Sequence, residues 1–185
     1  MKLLVGLGNP DKEYEKNRHN IGFMVIDELV RHLKATPLSR KASFKGDLYK
    51  GGDILLLKPQ TYMNLSGESV QAVSHFYGVE LEDNVVIHDD LDLSFGALRV
   101  KKGGGHGGHN GLRTIDKHIT PEYKRVRCGI GKPQTKQEIA SYVLSNFTSE
   151  EFANLDKELM DAYAKASLAL LSSSVESVAS TMTRK

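Results

Sequence analysis

Hydrophobic and polar positions along the chain fall into short apolar runs separated by longer amphipathic stretches. The pattern predicts buried strands at 2–7, 84–88, 97–101 and 123–130. Two further strands, 48–50 and 54–58, flank Gly51-Gly52-Asp53, a sequence typical of a β-hairpin.

The amphipathic stretches predict helices. Apolar residues recur at helical spacing in Ile21–Leu33 and Ser66–Tyr77, and Gly78 ends the second of these. A short helix is expected at 110–118. Thr148 and Glu151 have the spacing of a capping box, which predicts the start of one long helix. The residues expected along one side of that helix are Phe152, Leu155, Leu159, Tyr163, Ala166 and Leu170.

Alternating strands and helices, with one hairpin, predict an α/β fold: a single three-layer domain over 1–185, with a mixed, mostly parallel central sheet flanked by helices. The Ser-rich residues 172–185 are expected to form a less ordered tail. In such sheets ligands bind beyond the carboxyl ends of the strands. We therefore expect the loops after Leu7, Pro59, His88 and Lys101 to converge on one site.

Composition narrows the class of protein. The only cysteine, Cys128, rules out an internal disulfide and is expected to pack in a strand. No signal-peptide core and no run of about eighteen apolar residues is present. We expect a cytoplasmic protein that does not enter a membrane.

The net charge of +2 conceals an uneven distribution. Residues 97–136 hold ten basic and two acidic side chains, a local charge of +8, whereas the rest of the chain carries −6. A concentration of positive charge attracts polyanions and releases their counterions on binding. A nucleic acid partner is therefore expected, although a solvated basic surface remains the alternative.

The basic segment contains a glycine-rich loop. Residues 103–111 hold six of the seventeen glycines, together with His106, His109 and Asn110. Glycine has the largest entropy loss on folding, so such a density favours a sharp turn or close approach by a ligand. Lysines precede the loop, which indicates contact with an anion, and the two histidines are assigned supporting parts.

Candidate catalytic groups follow the predicted strands. His19 lies just before the first helix, and a neutral histidine oriented by a carboxylate can act as a general base. Asp89, Asp90 and Asp92 are the candidate carboxylates, and Asn64 and Asn110 the candidate oxyanion donors. With no activated serine or cysteine, the base would activate water. A metal-dependent hydrolase built on the histidines and a non-catalytic RNA-binding module remain alternatives.

Several motifs together resemble the bacterial peptidyl-tRNA hydrolase family. They occur in the family's order from residue 3 to about residue 131, and the C-terminal third resembles the family only in general character. The motifs are Gly6-Leu7-Gly8-Asn9-Pro10, Tyr14, Arg18-His19-Asn20-x-Gly22, Tyr62-Met63-Asn64-Leu65-Ser66-Gly67, His88-Asp89-Asp90-Leu91-Asp92-Leu93 and Gly103 to Gly111.

The resemblance implies an enzyme that hydrolyses the ester between a peptide and the terminal ribose of tRNA, without a cofactor or metal, as a monomer. His19 matches the catalytic base and Asp89 its orienting carboxylate. Asn9 matches the residue that distinguishes blocked aminoacyl groups. Other substrate-contact positions are Tyr14, Tyr62, Met63, Asn64 and Asn110; the positions of a tRNA 5′-phosphate clamp are Lys101 and Arg127, with Lys136 at the acceptor stem.

The chain departs from the family pattern at two positions in the loop that presents His19. Asp11 stands where the family usually has glycine, and Asn17 where it usually has threonine. Both substitutions bear on the backbone geometry of this loop.

Overall fold

The computed structural model describes residues 1–185 and contains a seven-stranded sheet between two layers of helices. The strands are β1 (Lys2–Gly6), β2 (Thr36–Pro37), β3 (Gly46–Gly51), β4 (Ile54–Pro59), β5 (Asn84–Asp90), β6 (Leu98–Lys102) and β7 (Lys124–Gly129). The helices are α1 (Ile21–Leu33), α2 (Ser66–Tyr77), α3 (Asn110–Ile119), α4 (Ile139–Val143), α5 (Ser149–Asn154), α6 (Lys157–Ala169) and α7 (Val175–Met182). None of these helices is long and apolar enough to cross a lipid bilayer.

The sheet has the order β2-β3-β4-β1-β5-β7-β6. The four central strands β4, β1, β5 and β7 are parallel, and β2, β3 and β6 at the two edges are antiparallel to their neighbours. Val5 of β1 pairs with Leu57 on one side and Val86 on the other, so the first strand lies at the centre of the sheet. The mixed, mostly parallel sheet is as predicted.

Side chains alternate between the two faces of the sheet and form two apolar cores. One core packs the sheet against α1, α6 and α7, and contains Leu4, Ile87 and Cys128. The other packs it against α2 and α3, and contains Val5 and Val86. Cys128 is fully buried, as expected of a packing residue.

The structure corrects the prediction of one long C-terminal helix. The capping box of Thr148 and Glu151 is present, but it begins α5, which ends at Asn154. Asp156 then caps α6 by accepting a hydrogen bond from the Leu159 N–H. Phe152 is 44% exposed, so the apolar side of the predicted helix does not continue through α5. Asp156 is a short polar N-cap residue, and it begins a second helix where one continuous helix was expected.

The segment 172–185, expected to be a less ordered tail, contains α7. Val178 of this helix is buried in the core with α6. Beyond it, Leu98 and Arg184 exchange two backbone hydrogen bonds, so the end of the chain covers the free edge of β6. A single buried valine gives too weak a periodicity for this helix to be recognised in the sequence.

Three of the four loops expected to converge do lie together, beyond the carboxyl ends of β1, β4 and β5, because these strands are parallel. The expectation is wrong for the loop after Lys101. Strand β6 is antiparallel to β7, with Lys102 paired to Lys124, so β6 ends beside the start of β7, away from the other three loops. The glycine-rich loop then runs back along the sheet and brings His109 and Asn110 to the site.

Candidate active site

The site is centred on the Asp89 carboxylate at the end of β5. Its Oδ2 lies 2.8 Å from His19 Nδ1 and its Oδ1 lies 2.8 Å from His109 Nε2. Asp89 is buried, with 3% of its surface exposed. One carboxylate therefore orients two imidazole rings, whose centroids are 4.9 Å apart.

His19 is brought to Asp89 by a close approach of backbone segments. It lies in a 3-10 turn, Arg18–Asn20, that continues directly into α1. A Cβ on Gly22 would lie 2.4 Å from Leu7 N and 2.5 Å from Ile87 O, closer than any side chain allows. Glycine at this position lets α1 begin against the ends of β1 and β5. Gly6 belongs to the same contact, because a Cβ there would lie 2.1 Å from Gly22 O.

Arg18 fixes the other side of the His19 turn. Its guanidinium is buried and donates to Asn146 O at 2.9 Å and Glu151 Oε1 at 2.7 Å, and also to Ser145 Oγ. It also stacks over the Tyr142 ring at 4.3 Å. Planar guanidinium groups suit such multiple contacts. The turn that carries His19 is therefore tied to the segment around α4 and α5.

His109 was expected to have only a supporting part, but its side chain bonds directly to the central carboxylate. Its Nδ1 accepts hydrogen bonds from the Gly111 and Leu112 N–H groups, which makes it the N-cap of α3. With Nδ1 as acceptor, the ring proton lies on Nε2 and is donated to Asp89. Its position one residue before a predicted helix was the available signal.

Charge and burial set the protonation of the His19 and Asp89 pair. Burial raises the pKa of Asp89, but the two imidazoles outweigh it, so the pKa of this carboxyl lies below its usual range. Burial lowers the pKa of His19, and the charge and hydrogen bond of Asp89 outweigh that effect and raise it. An ionised Asp89 accepts the Nδ1 proton of His19, which leaves the lone pair on Nε2 free.

A third histidine, His88, lies beneath the site. It is buried, its ring is 5.3 Å from that of His109, and its Nδ1–H donates to Asp89 O. Its Nε2 has no hydrogen-bond partner. Burial, followed by the nearby His109, lowers the pKa of His88 to about 3. This ring therefore stays neutral in the folded protein at physiological pH.

Asn9, in the loop after β1, connects the His19 turn to the loop after β4. Its Oδ1 accepts a hydrogen bond from Met63 N at 2.8 Å, and its backbone exchanges two hydrogen bonds with the Asn20 side chain. Asn9, Met63 and Asn20 are all buried. Asn20 follows His19 directly in the chain, so these hydrogen bonds reach the His19 turn. The Asn9 Nδ2 donor is the part of the side chain left for a ligand.

The other predicted substrate-contact residues surround this network. Tyr62 is exposed and donates its hydroxyl to Asp11, Tyr14 lies half-buried in the same loop as Asp11, and Asn64 is exposed. Asn110 is the first residue of α3, and its Oδ1 accepts from Arg113 Nη1 at 3.2 Å. Of the two predicted oxyanion donors, Asn110 lines the cavity that contains His19 and Asn64 does not.

A cavity of about 630 Å³ opens beside the His19 and Asp89 pair. One wall is the glycine-rich loop, and another is formed by residues 132–136 and α4. All three residues of the predicted clamp line it, and other cations join them. Its basic lining residues form what we call the basic wall: Lys101, Arg125, Arg127, Lys132 and Lys136.

The basic residues of this wall differ in how freely their charges face the cavity. Arg127 donates its Nε to Asp90 at 2.8 Å. Arg125 is fully buried and donates to Gly104 O and Gly105 O, so it holds the glycine-rich loop. Burial, then Arg125 and Arg127, lowers the pKa of Lys101. Mutual repulsion of this kind marks a cluster of positive charge that an anion would stabilise.

Donor atoms of His19, Asp89 and His109 lie within 4.8 Å of one another, a grouping that could hold a metal ion. However, His19 Nδ1 and His109 Nε2 carry protons donated to Asp89, and His109 Nδ1 accepts from the start of α3, so only His19 Nε2 has a free lone pair. A metal would have to displace both protons from a carboxylate that they already satisfy. The donor set fits a hydrogen-bonded triad better than a metal site.

Comparison with known proteins gives a consistent result. A family profile described as peptidyl-tRNA hydrolase matches residues 3–185, including the C-terminal third in which the motifs are weak. The peptidyl-tRNA hydrolase of Sulfurimonas denitrificans is 58% identical over 183 residues, covering 99% of this chain and 97% of that protein. That of Aliarcobacter butzleri is 46% identical over the full length of both.

A solved structure agrees at the level of the fold. The crystal structure of peptidyl-tRNA hydrolase from Acinetobacter baumannii superposes with a TM-score of 0.88 at 39% identity, covering 98% of this chain and 94% of that one. Sequence and architecture match along the whole chain, and the chain belongs to the peptidyl-tRNA hydrolase family.

Proposed function

We propose that this protein hydrolyses the ester bond between a peptide, or an N-blocked aminoacyl group, and tRNA, and so recycles tRNA from prematurely released peptidyl-tRNA. Family membership supports the reaction. The observation that carries the mechanism is the bond between His19 Nδ1 and Asp89, which leaves Nε2 as the basic atom beside a cavity lined by cations.

In the proposed reaction, His19 Nε2 removes a proton from water as the water oxygen attacks the ester carbonyl. The tetrahedral intermediate then expels the ribose oxygen, which takes the proton from His19. Asp89 stabilises the imidazolium formed in between. A positioned base of this kind contributes about 10²–10⁴-fold in rate.

The developing oxyanion requires a hydrogen-bond donor. We propose the Asn110 amide, because it lines the same cavity as His19 and its oxygen is already used by Arg113. Asn9 Nδ2 is proposed to hold the blocked amide of the acyl group. Loss of one oxyanion donor costs about 10²–10³-fold in kcat in well-studied hydrolases.

The strand order suggests how the substrate lies. Asp89 lies at the end of β5, and the loops with Asn9 and Tyr62 follow β1 and β4 on one side of it. The basic residues lie on β7, on β6 and within residues 132–136 on the other side. We propose that tRNA lies over β7 and β6, with its 5′ phosphate at Lys101 and Arg127 and its acceptor stem at Lys136. The peptide then leaves towards β1 and β4, past Met63, Tyr14 and Tyr62. The enzyme is proposed to act as a cytoplasmic monomer.

The function is tested by incubating the protein with N-acetyl-aminoacyl-tRNA and measuring ester release with and without EDTA. We expect release that is unaffected by the chelator. Binding without release would favour the non-catalytic RNA-binding alternative, and loss of release with EDTA would favour the metal-dependent hydrolase.

His19→Ala tests the base assignment in the same assay. We expect ester release to fall by at least about 10²-fold, because the general base is lost. Affinity for tRNA should be retained, because His19 is not one of the basic residues assigned to the tRNA. Gel-shift or fluorescence titration with uncharged tRNA measures the affinity. Near-normal turnover by this variant would contradict the mechanism.

A further inference from the structure

The loop after β1 contains a residue in an unfavourable backbone conformation. Asp11 has φ 81° and ψ 138°. Side chains with a Cβ rarely occupy positive φ outside the small left-handed region, whereas glycine does so without cost. Strain retained in this way beside a functional site calls for an interaction that depends on the side chain.

The Asp11 side chain has no local function in its own turn. It occupies the N-cap position of the 3-10 turn Lys12–Tyr14, yet it accepts no capping hydrogen bond. Its Oδ2 instead accepts the hydroxyl hydrogen of Tyr62 at 2.9 Å, across a separation of 51 residues. The carboxylate thus joins the loop after β1 to the loop after β4.

This contact is the outer of two links between these loops. The inner link, Asn9 Oδ1 to Met63 N, is buried. The outer link is exposed, and Tyr62 retains 54% of its accessible surface. Asp11 therefore holds an exposed carboxylate in the loop after β1, two residues from Asn9.

The charge lies on the side of the site towards which we propose that the peptide leaves. Asp11 follows β1, whereas the cations of the cavity belong to β7, β6 and residues 132–136 beyond β5. A tRNA phosphate bound among those cations leaves the peptide to pass the loops of β1 and β4. A peptide side chain that follows the blocked amide then meets the carboxylate.

We propose that Asp11 is a specificity-determining residue, held in place by Tyr62, that favours peptidyl-tRNAs with a cationic side chain next to the ester-linked residue and disfavours acidic ones. The inference rests on the proposed function. An exposed charge pair changes an equilibrium by roughly two- to fivefold. Attraction of a Lys side chain and repulsion of a Glu side chain together predict that kcat/KM for the Lys substrate is about five times that for the Glu substrate at low ionic strength.

The test uses three dipeptidyl-tRNAs on one tRNA: N-acetyl-Lys-Ala, N-acetyl-Glu-Ala and N-acetyl-Ala-Ala. Each rate is divided by that of the same protein on the Ala-Ala substrate. We expect the wild-type Lys to Glu ratio to be about five at low salt and to approach one near 1 M salt, where the Debye length is about 3 Å. Asp11→Asn, which keeps the shape and removes the charge, should bring the ratio to about one at all salt concentrations.

Glu15→Gln is the matched control, since Glu15 is an exposed acid in the same loop without a bond to Tyr62. It should leave the ratio unchanged. Asp11→Gly, which suits the backbone, provides a second variant and should also give a ratio of about one. A wild-type ratio near one, or an equal effect of Glu15→Gln, overturns the inference. Absence of hydrolysis of all three substrates would instead overturn the proposed function.

Discussion

At the scale of single residues, the Asp89 carboxylate determines which atom of His19 is available. It binds Nδ1, so Nε2 faces the cavity, and it also accepts the Nε2 proton of His109. A base held in one tautomer needs no reorientation before each proton transfer. The same carboxylate raises the pKa of His19. The imidazole is therefore a stronger base, but it also remains protonated up to a higher pH.

The pH dependence of kcat/KM follows from this coupling. The base acts only when neutral, so activity should fall as pH decreases through a midpoint above 6.5, the ordinary histidine value. In Asp89→Asn the carboxylate charge is lost, the pKa of His19 should decrease, and the midpoint should move to lower pH with a smaller plateau rate. Initial rates from pH 5 to 9 measure both. An unchanged midpoint in Asp89→Asn would mean that another group titrates.

His88 makes a separate prediction about stability. Its pKa is lowered to about 3, so the unfolded chain binds a proton near pH 6.5 that the folded protein does not. This group therefore destabilises the fold as pH decreases below 6.5, because protons then bind the unfolded chain in preference to the folded one. The raised pKa of His19 has the opposite effect in the acid range.

His88→Asn isolates this contribution, because the asparagine amide can replace the Nδ1 donor to Asp89 O. Urea unfolding at pH 7, 5 and 4 should show a smaller loss of stability on acidification in the variant than in the wild type. Parallel curves for the two proteins would show that His88 is not the proton-binding group.

At the scale of secondary structure elements, α3 and the active site share a residue. His109 caps the helix through Nδ1 and holds Asp89 through Nε2. The glycine-rich loop is fixed at its other end by Arg125, which lies beneath Gly104 and Gly105. The start of α3 is thereby held against the His19 and Asp89 pair, and substitution can separate the capping of α3 from the contact with Asp89.

His109→Asn should keep the cap, because asparagine is a favoured N-cap residue, and lose the contact with Asp89. His109→Ala loses both, which should cost about 1 kcal/mol of stability. We expect both variants to lose activity to a similar extent while only the alanine variant unfolds at lower urea concentration. Full activity of His109→Asn would show that the contact with Asp89 is dispensable.

Elements specified by local signals were predictable. The sequence predicted α1 and α2 to the residue, because apolar spacing and the glycine after α2 mark their limits. The direction of β6 was not predictable, since strand patterns are the same for parallel and antiparallel pairing. In the site, His19 and Asp89 could be matched by motif, whereas the bond from His109 to Asp89 depends on a loop path that crosses the sheet.

At the scale of the whole molecule, positive charge is concentrated on one wall of the cavity. The basic residues of that wall lie on β6, on β7 and within residues 132–136. Such a field steers a polyanion into one orientation. Within the wall, Arg127 is paired with Asp90 and Lys101 is crowded by two arginines, so the two side chains are not equivalent.

Lys101→Ala and Arg127→Ala should each raise KM for full-length peptidyl-tRNA and flatten its salt dependence. The effect of Arg127→Ala should be larger, because it also leaves the Asp90 carboxylate facing the phosphate. A minimal substrate without the 5′ phosphate should be little affected. Asp90→Asn combined with Arg127→Ala should recover part of the loss. Equal effects on both substrates would indicate a structural role.

The central place of β1 has a consequence for the order of folding. The first strand of the chain cannot complete its pairing until β4 and β5 exist on either side, whereas β3 and β4 form a local hairpin. Long-range parallel pairing slows folding, because the chain entropy of the intervening segments is lost before contacts compensate. Docking of β1 also brings the His19 turn to Asp89, so the proposed catalytic pair forms only when the centre of the sheet closes.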